Sequence, residues 1–207
     1  MRRTLAAIAL LCLCAPAALA NHAYLSEVEV QGSSQRSIAV GTPQRGALIF
    51  GVQLPDQGTN FFTWDFPLGV APSRPWRRWG TDTAIARTLA VLSEYRAANP
   101  LAPRVGIADI SRRNGGPFGE RFGGLGHASH QNGLDVDVLY PRRDHSEGIA
   151  SKPGLIDRRL SQDLVNRFVL AGARFVFVGL RSKLGGPKKV VQRLVHHDDH
   201  LHLRWRR

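Results

Sequence analysis

Apolar residues recur along the chain with two different periods. Between Thr81 and Asn99 they fall at Ile85, Leu89, Leu92 and Tyr95, the four-three-three spacing of a single helical face. Thr81 and Asp82 offer N-cap side chains and Asn99-Pro100 a stop, so a helix is predicted from about residue 82 to residue 99. A second helix is predicted from about Asp157 to Ala171, where Leu160, Leu164 and Phe168 repeat every four residues and Gly172 follows. The segments RGALIFGVQL (45–54), RVGIADI (104–110) and RFVFVGL (174–180) read as strands. LDVDVL (134–139) and His200 to Trp205 alternate polar and apolar residues, as half-buried strands do, and Lys188 to Val195 reads as a short helix. Strands and helices are mixed without a βαβ rhythm, an internal repeat or a linker. The expectation is a single α+β domain.

The N-terminus changes where that domain begins. Arg2 and Arg3, an apolar stretch from Leu5 to Ala15 and the small-residue site Ala18-Leu19-Ala20 form a secretory signal over residues 1–20, leaving a mature domain over 21–207 that is exported to a periplasmic or extracellular compartment. No later stretch has the apolar length of a membrane span. Leu13 before Cys14 argues against a lipid anchor. Both cysteines, Cys12 and Cys14, lie in the signal, so any metal site in the mature chain must be built from His, Asp and Glu. The net charge of +12 becomes +10 once Arg2 and Arg3 are removed, which either serves solubility alone or suits anionic partners such as lipid or the carboxylates and phosphates of a cell wall; export argues against nucleic acid. Residues 21–36 read as a polar, loosely docked arm. The aromatic segment containing Phe61, Phe62, Trp64, Phe66, Trp76 and Trp79, with Arg74, Arg77 and Arg78 interleaved, is either packing under a long loop or a wall beside a cleft.

Candidate chemistry concentrates in two places. Residues 123–141, GGLGHASHQNGLDVDVLYP, carry two histidines and two aspartates; HHDDHLH spans 196–202. Strand alternation puts Asp135 and Asp137 on one face and Val136 and Val138 on the other, and likewise separates His200 and His202 from Leu201 and Leu203. Pairing these two strands would bring an aspartate and a histidine side by side, with His130 returning over the strand through a turn at Gly133. Imidazole and carboxylate both suit Zn2+, and three protein ligands leave a position for water. Asp135 is either an acceptor that orients a ligand imidazole or a loop cap, and Asp109 is read as a turn residue.

The run Gly126-His-Ala-Ser-His-Gln-Asn-Gly-Leu-Asp-Val-Asp137, with His197-x-x-His200-x-His202, resembles the penicillin-insensitive murein endopeptidases, of the wider zinc peptidase group that includes lysostaphin-type and D-alanyl-D-alanine peptidases and the hedgehog domain. A weaker likeness runs from Gly41-Thr-Pro-x-x-Gly46 through Gly80-Thr-Asp and Gly106-Ile-Ala-Asp. The resemblance implies a small central antiparallel sheet flanked by helices, with zinc held on its face by His130, Asp137 and His202. It implies His200 as general base, with Asp199 the alternative, and His127 and His197 as groups that polarise the scissile carbonyl or hold substrate. The implied activity is hydrolysis of a D-alanyl cross-link to the bridging diamino acid of peptidoglycan. A D,D- or L,D-carboxypeptidase and a non-catalytic zinc-containing wall-binding domain are the competing readings. Members of this family can carry disulfides; this mature chain has no cysteine.

Overall fold

The computed structural model describes residues 36–207 except Leu125. The signal, Cys12, Cys14 and nearly all of the 21–36 arm lie outside the described residues. The strands are β1 (Ile38–Thr42), β2 (Arg45–Ile49), β3 (Val52–Gln53), β4 (Phe61–Thr63), β5 (Trp79–Gly80), β6 (Val105–Ile107), β7 (Asp135–Leu139), β8 (Phe175–Gly179), β9 (Val191–Leu194) and β10 (His200–Arg204). The helices are α1 (Asp82–Ala98) and α2 (Arg158–Leu170). α1 begins on the predicted cap, Thr81, which accepts from the Ala84 amide, and α2 is capped by Asp157, which accepts from that of Leu160.

Six strands form the main sheet in the order β4-β6-β7-β10-β8-β9. Its centre, β6-β7-β10-β8, is antiparallel as expected, but β4 runs parallel to β6 and β9 parallel to β8, so the sheet is mixed. The helix predicted over 188–195 is instead β9. Val190 and Val191 are β-branched, no N-cap precedes them, and β8 presents an open edge whose hydrogen bonds outweigh any helical preference. The strand predicted over 45–54 is broken at Phe50, which has φ +51, into β2, hairpinned with β1, and β3, paired with β5.

One face of the sheet holds the core. Val136, Val138, Leu201, Leu203, Val176 and Val178 pack against Ile85, Leu89 and Leu92 of α1 and Leu160, Leu164 and Phe168 of α2. Both helices therefore cover the same side. Trp205 closes this layer by donating its indole N–H to Thr88 Oγ1 at 3.0 Å. The opposite face is left for loops and polar chemistry. No helix among the described residues is long and apolar enough to cross a membrane.

Candidate metal centre

The site follows from the register of β7 against β10. His202 pairs directly with Asp137, and Leu203 with Val136, so the alternation that buries the valines and leucines in the core turns Asp135, Asp137 and His202 to the other face. His130 reaches the same place through a tight return in which His130 has φ +65 and Gly133 φ +72. A β-carbon at Gly133 would meet Leu48 and the Thr81 amide at 3.0 Å, so both backbone conformation and space require glycine there.

Three donor atoms form a nearly equilateral triangle. His130 Nε2 to Asp137 Oδ1, His202 Nδ1 to Asp137 Oδ1, and His130 Nε2 to His202 Nδ1 are each 3.3 Å. Tetrahedral ligands about 2.0–2.1 Å from a zinc ion stand about 3.3–3.4 Å apart, so these edges fit. Of the remaining ring nitrogens, that of His130 is hydrogen-bonded from outside the triangle, and His202 Nε2 has a carboxylate nearby but no hydrogen-bond partner among the described residues. His130 donates Nδ1–H to the Ile110 carbonyl at 2.8 Å, and Asp135 Oδ2 lies 3.3 Å from His202 Nε2. Asp137 is fully buried, and neither of its oxygens has a hydrogen-bond partner. An ionised carboxylate in that condition calls for a cation.

Charge in the site is mutually dependent. Burial opposes ionisation of Asp137, but His130 and His200 hold its carboxyl well below the usual range; Asp135 is held there against burial by His202 and Arg204. Burial likewise disfavours the His202 imidazolium, but Asp135 and Asp137 outweigh it and raise its pKa to about 9. Asp135 is tied to the loop and to the neighbouring strand. It accepts from the His130 amide at 3.1 Å, and from Arg204 Nε and Nη2 at 2.7 and 2.9 Å.

The other sequence-predicted residues surround the triangle. His200 Nδ1 is 2.7 Å from Asp199 Oδ1, and its Nε2 is 3.8 Å from Asp137 Oδ1. His200 and Asp199 are thus partners rather than rivals in position. His197 stacks near His200, 4.8 Å between ring centres, and donates Nδ1–H to the Val195 carbonyl at 2.6 Å. Burial, with His200 nearby, lowers the His197 pKa to about 4. His127 has Nδ1 3.9 Å from Asp137 Oδ2 and Nε2 2.7 Å from Asp109 Oδ2. Asp109 is no turn residue: it is fully buried and salt-bridged to buried Arg77, with Nε 2.5 Å from Oδ1. The Asp109 carbonyl also accepts the Asp137 amide at 2.9 Å, which registers it beside the triangle. Its signal in the sequence is a lone carboxylate inside the otherwise apolar run Val105 to Ile110.

A cleft of about 780 Å³ opens over these groups. Phe66, Pro67, Phe177, Leu194 and Val195 give it an apolar wall, and Gln44 and Arg204 a polar end. Phe66 lies 5.0 Å from His200 between ring centres, whereas Phe61 and Phe62 are buried packing, so the aromatic segment serves both expected purposes. Two further combinations, His127 with His130 and Asp137, and His130 with Asp135 and His202, also bring donor atoms within 4.8 Å.

A mixed α+β domain with imidazole and carboxylate donors converging on one sheet face, at the floor of a cleft walled by further histidines, has the make-up of a metallopeptidase. Residues 39–166 match the sequence model of the penicillin-insensitive murein endopeptidases, more than half of the chain, and the chain belongs to that family. Membership makes it a murein endopeptidase, with peptidoglycan as the implied substrate. No curated protein matches the chain. The matched segment contains His127, His130 and Asp137; His197, His200 and His202 lie beyond it and join the site through β10.

Proposed function

We propose that the mature chain, residues 21–207 as one domain exported after loss of the 1–20 signal, is a zinc endopeptidase that hydrolyses a D-alanyl cross-link of peptidoglycan. His130, Asp137 and His202 are its metal ligands. The observation that carries this reading is the 3.3 Å triangle around a carboxylate without hydrogen-bond partners. The two other donor combinations are weaker, because Asp135 is committed to Arg204 and the His130 amide, and His127 Nδ1 stands 3.9 Å from Asp137, farther than the 3.3 Å edges of the triangle.

Zinc held there supplies a Lewis acid that brings the pKa of water to about 7 and polarises a peptide carbonyl. His200, with Nδ1–H held by Asp199, keeps a lone pair on Nε2 beside Asp137, takes the proton from the attacking water and passes it to the leaving amine. His197 has given its Nδ1–H to Val195, so its Nε2 accepts a hydrogen bond from a substrate N–H. His127 turns Nδ1 to the cleft and holds the substrate from the other side.

Elemental analysis combined with digestion of intact sacculi tests the proposal. The expected result is one zinc per chain and cross-linked dimers split into monomers by mass. Stems shortened by one residue would make the protein a carboxypeptidase, and binding without new termini a wall-binding domain. His202→Ala should lose zinc and cleavage together; cleavage that survives without metal refutes the mechanism. An exported protein beginning at Asn21 is the expected N-terminal sequence.

A further inference from the structure

Arg77 and Asp109 are an ion pair in an unusual place. Arg77 is 1% exposed, and its guanidinium lies 4.8 Å from the centres of both the Trp76 and the Phe118 rings. Nε and Nη2 bind the two oxygens of Asp109 at 2.5 and 2.6 Å, while Nη1 donates to the Phe122 carbonyl at 2.7 Å. Removing both charges from water is costly, and an apolar pair would hold the loop at least as well. A packing role alone therefore gives no reason for the charges.

What the charges do is directed at His127. Asp109 Oδ2, already bound to Arg77, is 2.7 Å from His127 Nε2. A carboxylate only accepts, so the Nε2 proton is fixed on that side, and Nδ1 is the nitrogen left facing Asp137 and the cleft. Phe118 adds a second restraint. Its carbonyl accepts the His127 amide at 2.7 Å, and its ring lies 5.0 Å from the imidazole. His127 itself remains partly open to the cleft, with 20% of its side chain exposed.

We propose that Arg77 and Asp109 are a positioning pair: Asp109 fixes the tautomer and ring orientation of His127, and Arg77, bound to both oxygens of Asp109, holds that carboxylate aimed. The inference rests on the reading of His127 as a substrate-side group of the peptidase. Asp109→Asn preserves shape but removes the charge and one acceptor, so the His127 tautomer is no longer fixed: when the amide turns its NH2 to Nε2 the ring proton moves to Nδ1, and the acceptor facing the cleft becomes a donor. Where an aspartate orients the catalytic base itself, the same exchange costs about 10⁴-fold in kcat. His127 stands beside the substrate instead, and a loss of about 10²-fold is expected, the scale of removing one stabilising group.

The test is a double-mutant cycle on zinc-loaded protein with cross-linked muropeptide as substrate. Asp109→Asn should lower kcat about 10²-fold, with KM within about threefold and zinc content unchanged, and on a His127→Ala background it should cost less than about twofold more. Equal losses with and without His127 would mean a scaffold role and overturn the proposal. Ring 15N NMR of the zinc-loaded wild-type protein gives a readout free of activity. A His127 protonated at Nε2 and bare at Nδ1 supports the pair; the reverse tautomer overturns it, even if Asp109→Asn fails to fold. If the wild-type protein cleaves no cross-link, the functional reading fails while the NMR result still decides the role of Asp109.

Discussion

Asp135→Asn separates what holds the metal from what holds the sheet. The carboxylate is fully buried and accepts two charged hydrogen bonds from Arg204, one from the His130 amide, and stands 3.3 Å from His202 Nε2. Asparagine keeps the volume and one acceptor but loses the charge and one oxygen. A charge-assisted hydrogen bond contributes about 1.5–3 kcal/mol, and Arg204 keeps part of its bonding to the remaining oxygen, so we expect a loss of about 2–3 kcal/mol. At about 2–4 °C per kcal/mol for a domain of this size, metal-free Tm should fall by roughly 4–12 °C. The imidazole of His202 also loses the anion that orients it, and partners of this kind change metal affinity about 10–100-fold, or about 1.4–2.7 kcal/mol. Competition with a calibrated chelator measures the second quantity, and thermal unfolding after chelation the first. Wild-type zinc affinity in a variant whose Tm has dropped would refute the orienting role and leave Asp135 as a loop cap.

Three further outcomes are expected. In chelated protein, the His202 pKa of about 9 stands above the unfolded value of 6.5, so its stabilising contribution is full below pH 6.5 and is lost as pH rises through 9; unfolding scans from pH 6 to 10 should show Tm falling in the metal-free protein. Asp199→Ala frees His200 Nδ1, and kcat should drop roughly 10–100-fold with zinc content unchanged; loss of zinc in this variant would place Asp199 among the ligands instead. Leu203→Ala empties a buried site behind the metal face and should cost about 2–5 kcal/mol in denaturant unfolding, while the folded protein keeps its zinc.

Local pattern and the paired strands were legible because they depend on near neighbours. The apolar spacing in α1 and α2 and the Thr81 cap are read within one or two turns of chain. The alternation in LDVDVL and HLHLR determines which side chains share a face before any partner is known. What escaped depends on distant partners. β9 is a strand because β8 offers it an edge. Arg77 and Asp109 are thirty-two positions apart, and nothing in either segment shows that the cation of one neutralises the carboxylate of the other. Strand alternation says where His200 points but not that Asp199 binds it.

Placing the proposed ligands Asp137 and His202 on adjacent central strands ties the candidate metal site to the core. The pairing that sets His202 opposite Asp137 sets Leu203 opposite Val136, so a one-residue slip of β10 would bury histidines among the valines and leucines and turn the leucines to the cleft. Burial of Leu201, Leu203 and Trp205 thus specifies through register the relative placement of the His202 and Asp137 side chains. Deleting residues 200–207 removes the strand between β7 and β8 together with Trp205, and loss of zinc in such a truncation reports an unfolded sheet. Point changes on the cleft face, with Leu201 and Leu203 intact, are the ones that separate catalysis from folding.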